Sequence, residues 1–465
     1  MTPRCRFAVL ALILLTPTAA AAETAMGAAL PVTTILPFAA LLLAIALLPL
    51  SVPEWWDHNR NKGIVAAACA VPIAAYMVLA WGHEGVAELA RTSRDYCSFL
   101  VLLGALFVIT SGIYVKGSLS GTPLMNSALL LIGALLASLI GTTGASVLLI
   151  RPLLRANESR QARAHLVVFF IFIVSNCGGL LTPLGDPPLF LGFLNGVPFQ
   201  WTLRLWPEWL LVNGILLVVS NVWDQTVLNR EERERPGSQL EELMEHRPLR
   251  IMGMHNFLFL AAIIVIVYAS GRGLGSGGHA WPFGWQEGAM AAMAFASFFS
   301  TPEEYHRHNR FNFGPIIEVA VLFAGIFVTM GPALLILNAR GGELGLHQPW
   351  QLFWASGTLS SFLDNAPTYL TFAATAAGLK GVVAEGRYLA EFLGLGPGAE
   401  ALLRAVSVGS VCMGANSYIG NGPNFMVKAI AEEQGVKMPT FFGYMAYSCA
   451  VLIPVFVLVT LVFFR

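Results

Sequence analysis

SNCGGLLTPLGDPP, residues 175–188, decides the fold, because it interrupts a long apolar run with residues that a straight membrane helix does not hold. Glycine and proline free backbone N–H and C=O groups, and an unpaired group in hydrocarbon costs several kcal/mol. Such a break persists only where it faces protein or water. A second long break, GANSYIGNGPNF at 414–425, has the same character. Each is preceded by a shorter polar interruption, GTTGAS at 141–146 and SSFLDNAPT at 360–368. The short breaks read as tips of re-entrant hairpins, and the long ones as the unwound middles of broken helices.

Outward from these breaks the chain is apolar throughout. Hydrophobic residues make up 56% of the 465, charged residues only 12%, and the mean hydropathy is +0.67. A soluble domain carries about 25% charged residues, so this chain needs lipid as its solvent. Lys and Arg together number 27, balanced by 27 Asp and Glu, and no basic face alternates with aromatics. Nucleic acid is therefore excluded as a partner. The six cysteines have no CxxC spacing and imply neither a disulfide framework nor a metal site.

Apolar segments fall near 32–51, 62–81, 97–115, 127–154, 165–196 and 205–222, and again near 256–271, 284–300, 314–338, 350–379, 401–430 and 440–464. The expectation is an all-α polytopic membrane protein built from two repeats, each with a re-entrant hairpin and a broken helix. Aligned on the breaks, Thr143 meets Asn365, Thr142 meets Asp364 and Asp186 meets Asn421. If each hairpin returns to the side it entered, each half crosses an odd number of times, and the second repeat is inverted relative to the first. Most Lys and Arg, including Arg151, Arg155, Arg160, Arg163, Arg230, Arg250 and Lys437, then fall on one side, which the positive-inside rule makes cytoplasmic.

Four domains follow. Residues 1–22 have the layout of a signal peptide, with Arg4 and Arg6 before a short apolar core; the alternative is an uncleaved first helix. Residues 31–222 form the first inverted repeat, 223–255 a cytoplasmic linker and 256–465 the second inverted repeat. The expected location is a bacterial inner membrane, crossed many times.

SNCGGLLTPLGDPP, SSFLDNAPT and GANSYIGNGPNF resemble the signature loops of the ion transporter superfamily, which includes citrate and dicarboxylate carriers, arsenite carriers and D-type sodium:proton antiporters. The chain is most similar to the citrate transporter and D-type antiporter-like branch, over nearly its whole mature length. The resemblance implies a homodimer with a scaffold part and an elevator-like transport part formed by the hairpins and broken helices. The dicarboxylate carriers have a Ser-Asn-Thr pattern at their hairpin tips and loops. Here Thr142-Thr143 and Asp364-Asn365 stand instead, which departs from dicarboxylate binding.

Candidate ion- or substrate-binding residues are Thr142, Thr143, Ser146, Ser361, Asp364, Asn365 and Thr368 in the hairpins, with Ser175, Asn176, Thr182, Asp186, Asn416, Ser417, Asn421 and Asn424 in the broken helices. Each hairpin tip is expected against its own broken helix. Asp186 and Asp364 are the candidate ligands of a transported cation, because a carboxylate at membrane depth demands a cation, a proton or a basic partner. None of the four breaks contains Lys or Arg. Sodium and protons need only carboxylates and neutral oxygens, so the balance favours sodium:proton antiport, with Asp364 as the principal carboxylate. The alternative is cation-coupled transport of citrate or another small carboxylate. No cofactor is expected beyond transported sodium or protons. An intramembrane aspartyl protease is a weaker alternative, since the two aspartates come from different repeat elements. Glu318 reads equally as a proton carrier or an interfacial carboxylate, and His306 and His308 as a solvated basic edge.

Overall fold

A computed structural model describes residues 26–118, 120–234, 247–277, 281–309 and 311–465. The expected signal peptide lies outside the described residues, as does much of the expected linker. The described residues hold 7 helices long and apolar enough to cross a membrane, and the chain is an all-α, multi-pass membrane protein.

The first helix, α1 (Leu36–Ser51), leads into α2 (Asn59–Ser111). The sequence reads two apolar segments here. They are joined directly at Gly82, whose φ of 53° and ψ of −121° bend the chain where only glycine fits comfortably. A short strand, β1 (Tyr114–Ser118), pairs antiparallel with β2 (Arg247–Met252), Val115 facing Ile251. This ribbon ties the two halves together, and no apolar periodicity announced it.

Next come α3 (Pro123–Ile140) and α4 (Thr142–Ala156), separated by Gly141 alone at φ 83°. The reciprocal amide pair of Asn126 and Asn157, at 2.9 and 2.8 Å, joins the start of α3 to the end of α4. The two arms therefore form a hairpin with both ends on one side. Its tip stands about 21 Å from its base, at 1.5 Å per residue along α4. Beyond it, α5 (Ala164–Ile173) is apolar and buried on every face, as a helix at the centre of a bundle is. The 3-10 turn Cys177–Leu181 and the short α6 (Pro187–Leu194) complete the first broken helix. Helix α7 (Trp206–Glu234) closes this half.

In the second half, α8 (Asn256–Arg272) and α9 (Trp285–Ser300) pack on each other and on α2, as does the long α10 (Gly314–Arg340). Phe99 of α2 stacks on Phe323 of α10, ring centroids 5.0 Å apart. The second hairpin is α11 (Pro349–Ser360) and α12 (Asn365–Leu379). The second broken helix is α13 (Pro397–Met413), a 3-10 turn at Gly414–Asn416, and α14 (Gly422–Glu433). The last helix is α15 (Phe441–Phe463).

Helix α10, about 40 Å long at its 27 residues, serves as a ruler. Near its start, Arg151 and Arg155 of the first hairpin's outer end donate to the Asn309 carbonyl and to Tyr114 and Val115. At its far end, Asn338 donates to the Ala374 and Val382 carbonyls at 2.9 Å each, around the outer end of the second hairpin. The two hairpins thus have their bases at opposite ends of α10 and their tips between.

Two side readings are resolved. Glu318 pairs with Lys62 of α2 at 2.7 Å, so it is the ion-paired partner of a buried lysine. His306 is buried instead of solvated: its Nδ1 lies 2.9 Å from the Ser111 hydroxyl and its ring packs on Phe298 and Phe311. The short helix Glu303–His308, between α9 and α10, sets His306 against the end of α2, which the local sequence does not reveal.

Candidate functional site

Four helix starts converge between the hairpin tips. Thr142 is the first residue of α4 and Asn365 the first of α12, while Asp186 and Asn421 are the N-caps of α6 and α14. Helix starts carry partial positive charge and unpaired N–H groups, so their convergence favours negative charge at the centre.

The group at that centre is the Asp186 carboxyl, 1% exposed. The Thr142 hydroxyl donates to its Oδ1 at 2.8 Å, and the Asn421 amide donates to the same oxygen at 3.3 Å. Its Oδ2 accepts from the Asn365 amide. All three donors are neutral. Asn421 also donates to the Ser175 carbonyl at 3.1 Å and to Asn176 Oδ1 at 3.2 Å, and Asn176 donates to Asn424 Oδ1 at 2.7 Å. The Ser146 and Ser175 hydroxyls lie 2.8 Å apart.

Glycine makes this crowding feasible. The Thr142 N–H donates to the Gly185 carbonyl at 2.8 Å, and a Cβ on Gly185 would run into the Gly179 carbonyl. In the second half a Cβ on Gly420 would stand 2.6 Å from both the Gly414 and Ser360 carbonyls. The two breaks are laced to their hairpins by the same bonds. Ser138 donates to the Gly178 carbonyl at 2.5 Å, and Ser361 to the Met413 carbonyl at 3.1 Å. Thr182 donates to the Ser138 carbonyl and Ser417 to the Ser361 carbonyl, and these two hydroxyls accept from the Leu184 and Ile419 N–H groups.

This lacing corrects the alignment of the halves by one residue. The first helical positions match Thr142 with Asn365, so Gly141, not Thr142, stands opposite Asp364. The spacing from Ser138 to Thr142 equals that from Ser361 to Asn365. The first arm stays helical up to Ile140 while the second unwinds from Ser361, so the polar stretch visible along the chain is shorter at the first tip. For the same reason the tip-by-tip sequence comparison passed over Ser138, the counterpart of Ser361.

The remaining candidate residues have distinct surroundings. Asp364 is half-buried and caps α12, accepting from the Ala366 N–H at 3.0 Å. Thr368 donates to the Asp364 carbonyl within the same helix. Asn416 donates to the Ser361 hydroxyl at 2.9 Å. Thr143 lines a narrow cleft between the first tip and Phe99, Leu106 and Phe107 of α2, a cleft that reaches Asp186. Asp186 and Asp364 thus have separate partners. Asn365 of the second hairpin and Asn421 of the second broken helix both cross over to Asp186, so the second hairpin meets the broken helix of the other half as well.

Two buried oxygens at the breaks, Asn365 Oδ1 and Asn416 Oδ1, have no hydrogen-bond donor among the described residues, as is also true of Glu208 Oε2 and Asn213 Oδ1 elsewhere in the core. An acceptor without a donor is what a bound cation or a water satisfies. Among the described residues no group of three or more His, Cys, Asp and Glu is arranged for a metal ion. Any cation here would be held by one carboxylate and neutral oxygens.

A family model described as "Putative citrate transport" matches residues 27–464, nearly the whole chain. No curated protein matches it.

Proposed function

The chain belongs to this citrate transport family, and from that membership we propose that it is a secondary active transporter carrying citrate or a related small carboxylate together with sodium or protons. The observation that carries the coupling is the two buried, donorless amide oxygens, Asn365 Oδ1 and Asn416 Oδ1, in the same half as two of the three donors that reach Asp186. A cation bound at either oxygen would complete it. It would also add positive charge to the four helix starts, which together offset the charge of a carboxylate substrate without Lys or Arg. The substrate would enter through the cleft beside Thr143.

Sodium:proton antiport is the second reading, favoured by one observation. Asp186 is held by Thr142, Asn365 and Asn421 alone among its hydrogen-bond partners, all neutral, so a proton and a sodium ion could compete for it. Both readings use the same carboxylate.

The proposal includes the wider architecture. The matched lacing of Ser138 with Gly178 and of Ser361 with Met413, and the hairpin bases at opposite ends of α10, support two inverted repeats over 31–222 and 256–465. The packing of α1, α2, α8, α9 and α10 beside the hairpins supports a scaffold against which the transport elements move as an elevator. A homodimer, a signal peptide at 1–22, a cytoplasmic linker at 223–255 and a bacterial inner-membrane location complete it.

The test is purified protein in liposomes, with labelled citrate uptake and internal pH followed separately under imposed sodium or proton gradients. Uphill citrate uptake that depends on the gradient supports the proposal. Proton efflux on sodium addition with no citrate uptake transfers support to antiport, and citrate movement only down its own gradient overturns active transport.

A further inference from the structure

We propose that the outer ends of the two broken helices share a binding site for an anionic phospholipid. Two cavities carry it. One is lined by Arg163, His165, Trp223, Lys437 and Tyr447. The other is a groove along α7, lined by Val218, Val222, Trp223, Val227 and Arg230. They share Trp223 and Val227, so they adjoin on α7, one with a cationic lining and the other largely apolar.

The cationic end has charge to spare. Among the described residues, neither Arg163 nor Lys437 has a hydrogen bond or ion pair through its side chain. Among the described residues, Asp224 and Glu231 beside this end are already engaged. Asp224 holds Arg160 at 2.6 Å and His165 at 2.9 Å, while Glu231 holds Arg160 at 3.5 Å and accepts from the Ala162 N–H at 2.7 Å. Arg230 is partly offset by Glu234 at 2.9 Å. The apolar end faces outward: Val218 is 64% and Val222 62% exposed, as lipid-facing side chains are. Trp223, whose ring lies 5.5 Å from that of Tyr447, lines both cavities.

The occupant follows from this pairing. A phosphate with net negative charge suits the cavity that Arg163 and Lys437 line, and an acyl chain suits the adjoining valine groove. Basic pockets between membrane helices at the positively charged side recognise anionic headgroups in this way. A free anion would use the cations and leave the groove, and a zwitterionic lipid would bring its own cation against Arg163 and Lys437. The site touches the start of α5, the Gly435–Lys437 stretch just after α14, and α7. A bound lipid would therefore tie the outer ends of both broken helices to α7 and resist their relative motion.

The experiment uses the purified full chain in detergent, with bound lipid counted by native mass spectrometry and melting temperature followed in parallel. The probes are phosphatidylglycerol, phosphatidylcholine, glycerol phosphate and inorganic phosphate. Phosphatidylglycerol should bind preferentially and raise the melting temperature, and the two chainless probes should do neither. Arg163→Gln with Lys437→Gln should weaken phosphatidylglycerol binding about thirtyfold while leaving the melting temperature in phosphatidylcholine unchanged. Lys380→Gln, remote from both cavities, should bind as the unaltered protein does. Equal binding of the two lipids, stabilisation by phosphate alone, or undiminished binding by the double variant would overturn the proposal.

Discussion

The Asn365 amide donates to the Asp186 carboxylate across 179 residues of sequence, so the tip of the second hairpin grips the unwound loop of the first broken helix. Thr142, the first residue of the other hairpin's inner helix, holds the opposite oxygen of the same carboxylate at 2.8 Å. One charge is thus shared by both hairpins. A cation or proton arriving at Asp186 would alter the hold on both tips at once, which is the physical requirement for coupling an ion to a movement of the surrounding elements.

Asp186→Asn should give a folded protein without gradient-dependent transport. Hydrogen bonds to a charged group contribute about 1.5–3 kcal/mol each, and the amide would turn one acceptor into a donor facing Thr142, Asn421 or Asn365. Asp364→Asn should retain most activity, because asparagine caps a helix about as well as aspartate. Uptake rates in liposomes for the two variants, normalised to monodisperse protein, check this. Equal loss in both would return Asp364 to the centre.

Asn416→Ala removes one donorless oxygen together with the amide that donates to Ser361. The sodium concentration for half-maximal uptake should rise roughly tenfold, the equivalent of about 1.4 kcal/mol for one lost ligand. Asn416→Asp, which keeps the oxygen and adds charge, should restore sodium affinity in part. A sodium dependence unchanged in Asn416→Ala would remove this oxygen from the cation site.

Gly185→Ala should be among the most damaging single-methyl changes. The new Cβ meets the Gly179 carbonyl, a backbone atom that cannot swing aside, and the displaced loop carries Asp186. A cost of about 2 kcal/mol or more is expected, as for other overpacked cores. Gly214→Ala, where a Cβ meets nothing within 4 Å, is the control. Melting temperatures in detergent should fall for the first and hold for the second.

Asp224→Ala should destabilise the first hairpin's base. It leaves Arg160, itself buried, without its 2.6 Å partner and unties Asn126 and His165 from α7. Breaking a buried pair on one side costs about 3–5 kcal/mol. Replacing Arg160 and Asp224 together, by Met and Leu, should recover much of it, and a double variant less stable than Asp224→Ala would contradict this account.

The sequence alone determined that the chain lives in a membrane, that its helices break at four matched places, and that polar side chains gather there. Those conclusions need only local facts: apolar runs long enough to span, and Gly, Pro, Asn and Asp where a continuous helix cannot tolerate them. Tertiary structure decided which carboxylate is central. Asp364 has the richer neighbourhood along the chain, with Asn365, Ser361 and Thr368 close by, yet its carboxylate is turned to its own helix start, and Thr368 bonds within the helix. Asp186 has prolines and a glycine as neighbours, and its partners Thr142, Asn365 and Asn421 come from three other elements. Local composition reports on one strand of chain at a time, whereas a buried charge is stabilised by whatever donors the packing brings across the core.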